Sequence, residues 1–386
     1  MLLIQGGHVL TMEGESYPKG DIWIKDGKIE GVGEALPVPE GARVIDASGK
    51  FVLPGMIDGH CHLGMWEDGI GFEGADGNEV SAPIMPHLRA IDGLNPMDRS
   101  FREAYEGGIT AVATGPGSAN VIGGQFAAIK TYGKRIDDMI IKAPLAMKCA
   151  FGENPKRIYK EKKQSPNTRM ATAALLREAL YKAKEYDEKL KRAEGDPSKK
   201  PAYDMKLEAL LPVVRGELPM KMHVHRTDDI FTAIRIAKEF DIQITLEHCT
   251  EGHLIAEFLK EENFPAIVGP SLTERSKFEL RNLSFETAGI LANAGIKIAI
   301  MTDHPVIPLQ YLPICAALAA KAGMPEEEAL KGITIYPAEI LGLSDRIGSI
   351  RKGKDADIVI WDGHPFSLQS EVAYTIIDGH IVYERE

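Results

Sequence analysis

Short apolar segments alternate with helical segments through residues 54–345 of this 386-residue chain, and this alternation limits the fold most strongly. Segments with helical patterns, at residues 98–106, 229–240, 253–261 and 284–294, lie between many of the apolar ones. Such alternation is typical of a parallel sheet with helical crossovers, and about eight units in ~290 residues predict a (β/α)8 TIM barrel of the α/β class. The eight predicted strands are residues 56–60, 109–114, 126–130, 143–149, 220–223, 242–247, 266–269 and 296–302.

A doubly wound open sheet is the alternative for the same alternation. Its dinucleotide-binding form carries a Gly-x-Gly-x-x-Gly motif after the first strand. No such motif follows the first predicted strand here, so a dinucleotide fold is unsupported and the barrel is favoured.

Both ends of the chain have the pattern of short strands joined by tight turns. The pairs Asp26-Gly27 and Asp378-Gly379 carry the Asp-Gly signal of a β-hairpin. Neither end is long enough for a large core of its own. We therefore expect residues 1–53 and 346–386 to pair in one small β-domain, with the barrel in residues 54–345.

Residues 155–210 depart from the strand–helix rhythm of the barrel. Residues 168–192 are helical and rich in Ala, Leu, Lys and Glu, and residues 156–163 before them are strongly basic. This segment is either a solvated helical insertion in one strand–helix loop or a lid over the site, because catalytic-face loops often carry such additions.

The composition limits the classes of molecule that this protein is expected to bind. The net charge of −11 argues against a nucleic acid or an anionic membrane as partner, and no apolar run reaches the ~18 residues of a spanning helix. The N-terminal residues do not resemble a signal peptide, and the four cysteines form no Cys-x-x-Cys pair, which suits reduced thiols. We expect a cytoplasmic protein that acts on a small molecule and forms a homo-oligomer.

Two histidines one residue apart, His60 and His62, close the first predicted barrel strand. Residues i and i+2 of a strand point to the same face, roughly 6–7 Å apart, so two imidazoles can hold one metal ion. At the end of a barrel strand such a pair is half of a catalytic metal site. An isolated His-x-His can equally be two histidines in a polar loop.

Four further strand ends carry residues that suit the same site. All parallel strands leave a barrel at the same rim, so residues at their ends converge although they are distant in sequence. Neutral imidazoles with a carboxylate suit zinc, manganese, iron or nickel. The residues at these four strand ends are Lys148, His223 with His225, His248, and Asp303 with His304.

The motif Pro-Gly-Met-Ile-Asp-Gly-His-Cys-His at residues 54–62, the later strand-end histidines and Thr302-Asp303-His304 resemble the amidohydrolase superfamily. Residues 355–360, Asp-Ala-Asp-Ile-Val-Ile, resemble the strand with which that family's chains close. The resemblance spans nearly the whole chain and is closest to the imidazolonepropionase-related branch. It implies a (β/α)8 barrel with a small β-sandwich built from both termini.

The resemblance also implies the roles of the strand-end residues. His60 and His62 would hold one divalent metal, most readily zinc, and His223 and His248 would complete the cluster. Asp303 would contact the metal and transfer protons.

Lys148 lies near the position where binuclear members carry a carboxylated lysine that bridges two metals. The alternative is an ion pair between Lys148 and Glu153 or another nearby carboxylate. Glu153 is an alternative ligand, and Lys130, at the end of an earlier predicted strand, is a weaker candidate for the bridge. Whether the site holds one metal or two depends on this point.

The predicted reaction is hydrolysis of a C–N bond in a cyclic amide, an amide or a dipeptide-like molecule. A bound divalent metal lowers the pKa of its water from 15.7 towards ~7 and so supplies hydroxide at neutral pH. Asp303 would take the proton of that water and pass it to the leaving nitrogen. A deaminase and a non-catalytic scaffold are the alternatives, and the complete set of ligand positions favours an enzyme.

Several neighbouring residues are candidates for substrate contacts. His225 projects on the same side as His223 and is predicted to polarise the substrate carbonyl or to support the site. Asn120, in the glycine-rich loop of residues 115–124, and His304, beside Asp303, are two further candidates.

Arg226 is the third candidate, because a guanidinium can bind a substrate carboxylate in bidentate fashion. Thr227 and Asp228 follow it where a helix is expected to begin, and they are predicted to form its N-cap.

Overall fold

The computed structural model describes residues 1–68 and 71–386. Within them, sixteen strands form two sheets of eight strands each. The strands are β1 (Leu2–Val9), β2 (Tyr17–Lys25), β3 (Lys28–Gly33), β4 (Arg43–Asp46), β5 (Phe51–Pro54), β6 (Met56–Cys61), β7 (Ile109–Thr114), β8 (Ile122–Lys130), β9 (Ile140–Ala150), β10 (Met220–Val224), β11 (Ile244–His248), β12 (Ala266–Val268), β13 (Ile298–Ile300), β14 (Ile358–Trp361), β15 (Val372–Ile377) and β16 (His380–Glu384).

The α-helices connect and cover these strands. They are α1 (Arg99–Glu106), α2 (Ile136–Met139), α3 (Glu153–Glu161), α4 (Arg169–Arg192), α5 (Met205–Val214), α6 (Thr227–Phe240), α7 (Ala256–Glu262), α8 (Glu286–Asn293), α9 (Leu312–Lys321), α10 (Glu326–Lys331) and α11 (Ile335–Ile340). The four helices predicted from the sequence correspond to α1, α6, α7 and α8. No helix in the described part of the chain has both the length and the apolarity that crossing a membrane requires.

The barrel sheet runs from β6 to β13 in chain order, and each of the eight predicted strands is found in it. Seven strands are parallel, but β8 is antiparallel to both β7 and β9. The expectation of eight parallel strands is therefore wrong for one strand. The seven residues between β7 and β8 explain the reversal, because a parallel crossover needs a dozen residues or more.

The barrel is nearly closed between β13 and β6. Within the described ranges these two strands share no ladder, and the buried carboxylate of Asp58 spans them instead. Its Oδ2 accepts hydrogen bonds from the backbone N of Thr302 at 2.9 Å and from the hydroxyl of Thr302 at 2.6 Å. Asp58 thus ties the first barrel strand to the segment that carries Asp303.

Helix α4 buries a stripe of side chains on one face. Thr172, Leu176, Ala179 and Ala183 recur at the three- and four-residue spacing of an amphipathic helix and are buried against α5 and α6. This helix therefore packs on α5 and α6 within the connection between β9 and β10, while its opposite face is exposed. The assignment of residues 155–210 as an insertion or a lid stays a prediction.

The terminal sheet joins both ends of the chain, because β5 pairs with β14 in antiparallel register. The hairpins predicted at the two Asp-Gly pairs are confirmed as β2–β3 and β15–β16. Asp26, Gly27, Asp378 and Gly379 all have positive φ angles, as the tight turns of such hairpins require. The assignment of this part as a two-layer sandwich stays a prediction.

Lys130 ends β8 on the side of the barrel away from the strand-end histidines. Its Nζ lies 3.2 Å from Asp355 and 3.1 Å from Asp378, and it also contacts Asp357. Lys130 is 4% exposed, so a buried cation sits among carboxylates of the terminal segment. Because β8 is reversed, Lys130 is carried away from the metal candidates, and its suggested role as a bridge between metals is wrong.

Candidate metal centre

Two groups of possible metal ligands lie at the carboxyl ends of barrel strands. His60, His62 and Asp303 form one group, and the ligand atoms of His223, His225 and His248 form the other; within each group these atoms lie within 4.8 Å of one another. The rings of His60 and His248 are 5.7 Å apart between centroids, so the two groups are adjacent. The convergence expected from the strand ends is therefore present.

Hydrogen bonds to backbone carbonyls orient two of these imidazoles. Nδ1 of His62 lies 2.7 Å from the carbonyl of Gly115, and Nδ1 of His248 lies 2.8 Å from the carbonyl of Gly269. A carbonyl oxygen only accepts, so Nδ1 carries the proton in both rings. The Nε2 atoms are thereby left unprotonated and available as ligands.

The donor set fits a cation. Nε2 of His62 lies 3.2 Å from Oδ1 of Asp303, and two acceptors at that distance need a proton or a metal ion between them. Oδ1 of Asp303 and both ring nitrogens of His223 are buried without a hydrogen-bond partner in the described part of the chain. Buried polar atoms rarely lack partners, and a divalent metal would supply one here.

The backbone is strained at two of these positions. His248 has a φ angle of 68° and Asp303 has a φ angle of 53°. Residues other than glycine rarely adopt this left-handed backbone conformation. Such conformations cost about 1–3 kcal/mol each and cluster at functional sites. Both side chains line the same cleft at the mouth of the barrel.

The ionisation of the site follows from its burial. Burial lowers the pKa of His60, His223 and His225 well below the usual value and that of His248 to about 3. Burial opposes ionisation of Asp303, but His248 and His62 outweigh it and lower the pKa of this carboxyl to about 2. The histidines are therefore neutral and the carboxylate ionised near neutral pH, the forms that bind metals.

Lys148 is fully buried on β9 between the two ligand groups. Its Nζ lies 3.0 Å from Nε2 of His60, and burial lowers the pKa of this amine to about 8. Among the described residues Lys148 makes no ion pair, so the pairing with Glu153 considered from the sequence is absent. The amide N of Glu153 instead donates to Glu279 at 2.9 Å.

A cleft of about 440 Å³ opens above the ligand groups. Its lining includes four histidines and Asp303, together with apolar side chains and polar side chains that include two cations. The apolar lining includes Trp66, Pro270, Leu280, Pro305 and Val306, and the polar lining includes Asn78, Ser118, Asn154, Arg157 and Lys277.

Two of the predicted substrate contacts lie outside this lining. Asn120 is 2% exposed, and its amide donates to the carbonyl of Glu79 and accepts from the hydroxyl of Tyr159. The ring nitrogens of His304 have no hydrogen-bond partner within the described ranges, and its backbone N donates to Thr302. The side chain of His304 therefore makes no hydrogen bond to the neighbouring Asp303 carboxylate in the described part of the chain.

Arg226 also lies outside the cleft lining. Its guanidinium pairs with Asp228 at 2.9 Å and lies 5.9 Å from the ring of Phe278. Arg226 itself occupies the N-cap of α6, while Thr227 and Asp228 belong to the first turn, so the predicted cap is wrong. Glu251 accepts the N–H of Thr227 at 2.9 Å in place of a side-chain cap.

Three cleft residues carry no sequence signal that could have identified them: Asn154, Arg157 and Lys277. Nζ of Lys277 lies 3.2 Å from Nε2 of His225, 2.9 Å from Glu279 and 3.3 Å from the side-chain oxygen of Asn154. Nδ1 of His225 lies 2.7 Å from the hydroxyl of Thr250. Both nitrogens of His225 are thus engaged, which sets it apart from His223 and His248.

Comparison with known proteins agrees with this architecture. The model of the amidohydrolase family matches residues 51–382. The solved structure of an amidohydrolase from Thermotoga maritima is 45% identical, covers all of both chains and superposes with a TM-score of 0.97.

Two curated relatives are more distant. The imidazolonepropionase of Paracoccus denitrificans is 26% identical over 417 residues, which cover 99% of both chains. The amidohydrolase tasK of Hapsidospora irregularis is 31% identical over 387 residues, which cover 93% of this chain but only 39% of tasK. With a family match over most of its length and a resemblance to imidazolonepropionases, this chain belongs to the amidohydrolase family.

Proposed function

We propose that this chain is a metal-dependent hydrolase of a C–N bond in a small cyclic amide, amide or dipeptide-like molecule. The observation that carries the proposal is that Oδ1 of Asp303 and the ring nitrogens of His223 are buried at the barrel mouth without a hydrogen-bond partner among the described residues. A divalent cation would supply that partner. The relatives named imidazolonepropionase and dihydroorotase support the same class of reaction.

The ligand groups divide into two metal positions. His60, His62 and Asp303 would hold one ion, and His223 and His248 would hold a second. A carboxylated Lys148 would join the two, since its Nζ lies between the groups and a carbamate binds metals as a carboxylate does. A bound divalent metal, most readily zinc, polarises a carbonyl and lowers the pKa of water.

The chain's own side chains do the rest of the chemistry. Asp303 takes the proton of the attacking water at its carboxylate and delivers it to the leaving nitrogen. Lys277, held by Glu279 and Asn154, and the adjacent His225 are placed to orient the substrate carbonyl. Trp66, whose ring lies 5.0 Å from that of His62, shields the floor from solvent.

The cations of the cleft support a substrate that carries a carboxylate. Glu279 balances the charge of Lys277, whereas Arg157 makes no ion pair within the described ranges. A guanidinium in this position suits a carboxylate on the substrate. The carboxylate contact that the sequence suggested for Arg226 is therefore proposed for Arg157.

Metal content and a substrate screen test the proposal. We expect at least one equivalent of metal in the purified protein, loss of activity on chelation, and recovery on adding zinc or manganese. The screen covers cyclic imides, lactams, dipeptides and N-acyl amino acids. Each compound with a free carboxylate is compared with the analogue in which that carboxylate is an amide, and adenine is included to detect a deaminase. Less than one equivalent of metal and no recovery would instead support a non-catalytic scaffold.

Replacing Lys148 by arginine tests whether the site holds one metal ion or two. Arginine cannot form a carbamate and leaves a cation where the carboxylated lysine would carry a negative charge, so we expect Lys148→Arg to hold about one metal equivalent fewer than the wild type. Metal analysis measures this, and ¹³C NMR in labelled bicarbonate detects the carbamate directly. Lys142→Arg, at an exposed lysine of the same strand, is the matched control. Unchanged metal content in Lys148→Arg would contradict the bridge.

A further inference from the structure

An ion pair of a kind unusual in a protein core lies inside the barrel beneath the candidate metal centre. Nζ of Lys221 on β10 lies 3.1 Å from Oε2 of Glu247 on β11, and the two side chains are 1% and 0% exposed. Lys221 also donates to the carbonyl of Gly59 at 3.1 Å, and the hydroxyl of Thr245 donates to Oε1 of Glu247.

The same carboxylate contacts a candidate ligand. Oε2 of Glu247 lies 2.7 Å from Nδ1 of His60, in the centre of the barrel. Within the described ranges this contact does not have the alignment of a hydrogen bond. The tautomer follows instead from Nζ of Lys148, which donates to Nε2 of His60 at 3.0 Å and so leaves the ring proton on Nδ1, next to Glu247. Nε2 of His60 is then unprotonated where it faces Asp303 at 3.6 Å.

We propose that Glu247 is a positioning residue that stabilises His60 in this orientation and tautomer, and that Lys221 compensates the buried charge of Glu247. The inference rests on the proposed metal centre, because it assigns these two residues a role in holding the ion.

His60 differs from the other oriented histidines in its partner. His62 and His248 are held by the neutral carbonyls of Gly115 and Gly269, whereas His60 contacts a carboxylate. A carboxylate partner makes an imidazole a more basic ligand, and loss of such a partner typically weakens metal binding about 10–100-fold. His60 is thus the strongest nitrogen donor among the three.

A purely structural role does not account for the pair. Two charges lose their hydration when buried, and well-packed apolar residues of similar volume are usually as stable or more stable. The ring of Phe126, 5.6 Å from Nζ of Lys221, already provides an apolar surrounding for such a replacement. The retained charges are explained by the contact of Glu247 with His60.

Two double variants test the inference. Lys221→Met with Glu247→Leu removes both charges and the acceptor, while Lys221→Met with Glu247→Gln removes the charges but keeps an acceptor for His60. We measure zinc affinity by chelator competition, the visible spectrum of the cobalt-loaded protein, and the melting temperature of the metal-free protein. Lys354→Met, at a buried lysine of the terminal segment that contacts Glu13, is the matched control.

We expect the leucine variant to bind zinc about 10–100-fold more weakly than wild type, with an altered cobalt spectrum and a metal-free melting temperature that is unchanged or higher. The glutamine variant should lie between it and wild type, and the control should bind zinc normally. Zinc affinity equal to wild type in the folded leucine variant would overturn the inference, as would failure of both double variants to fold. Wild-type protein that binds no zinc would instead refute the proposed function.

Discussion

Asp303→Asn is expected to lower kcat by about 10²–10⁴-fold per metal-loaded site, the range typical for loss of a general acid–base group. Asparagine keeps the size of the side chain and an oxygen that can face the metal, but it cannot take up a proton from water. Asparagine also tolerates the left-handed backbone at this position, where φ is 53°. The change therefore removes proton transfer and the negative charge of one candidate metal ligand, which is why kcat is compared per metal-loaded site.

The measurement pairs steady-state kinetics on the best substrate of the screen with metal analysis of the same sample. Asp241→Asn is the matched control, because Asp241 has φ 54° at the end of α6 and lies far from the cleft lining. It should leave kcat unchanged. Wild-type turnover in Asp303→Asn would remove Asp303 as the proton carrier.

Lys130→Met is expected to lower the free energy of unfolding by about 3–5 kcal/mol, the usual cost of removing one partner of a buried ion pair. Methionine fills much the same volume but leaves Asp355 and Asp357, which are 3% and 4% exposed, without this cation. Denaturant unfolding at neutral pH, followed by circular dichroism, measures the change.

Lys28→Met is the matched control for Lys130. Its amine contacts the same Asp355 at 2.5 Å, but the lysine side chain is 47% exposed. We expect an effect below about 1 kcal/mol, because water screens an exposed charge and replaces the contact. Equal losses in the two variants would show that the location of Lys130 in the core is unimportant.

The strand positions of the barrel could be predicted from the sequence, but the direction of one strand could not. Apolar patterning marks a buried strand without indicating which way it runs. β8 begins at Ile122, four residues before the predicted start, and Gly123 and Gly124 concealed that beginning. Because β8 begins at Ile122, its connection from β7 is too short to contain a crossover helix.

The candidate metal ligands were predictable once the positions of the strands were known. The three histidines His60, His223 and His248 lie in the last two residues of their strands, and Asp303 lies three residues beyond the end of β13. Their convergence follows from the topology of a barrel. Arg157 and Lys277 lie on a helix and a loop whose packing above the mouth depends on three-dimensional contacts. No spacing in the sequence relates them to the ligands.

The antiparallel direction of β8 changes the architecture of the mouth. A regular barrel surrounds its mouth with eight strand-to-helix connections. Here, in residues 1–68 and 71–386, seven connections surround the mouth, of which six are strand-to-helix connections and one is the short loop between β7 and β8. One of the seven, the segment after β9, carries Asn154 and Arg157 only a few residues beyond Lys148. Selection for a new substrate could therefore redesign one wall by exchanging a single contiguous piece of chain, while the catalytic floor stays in place.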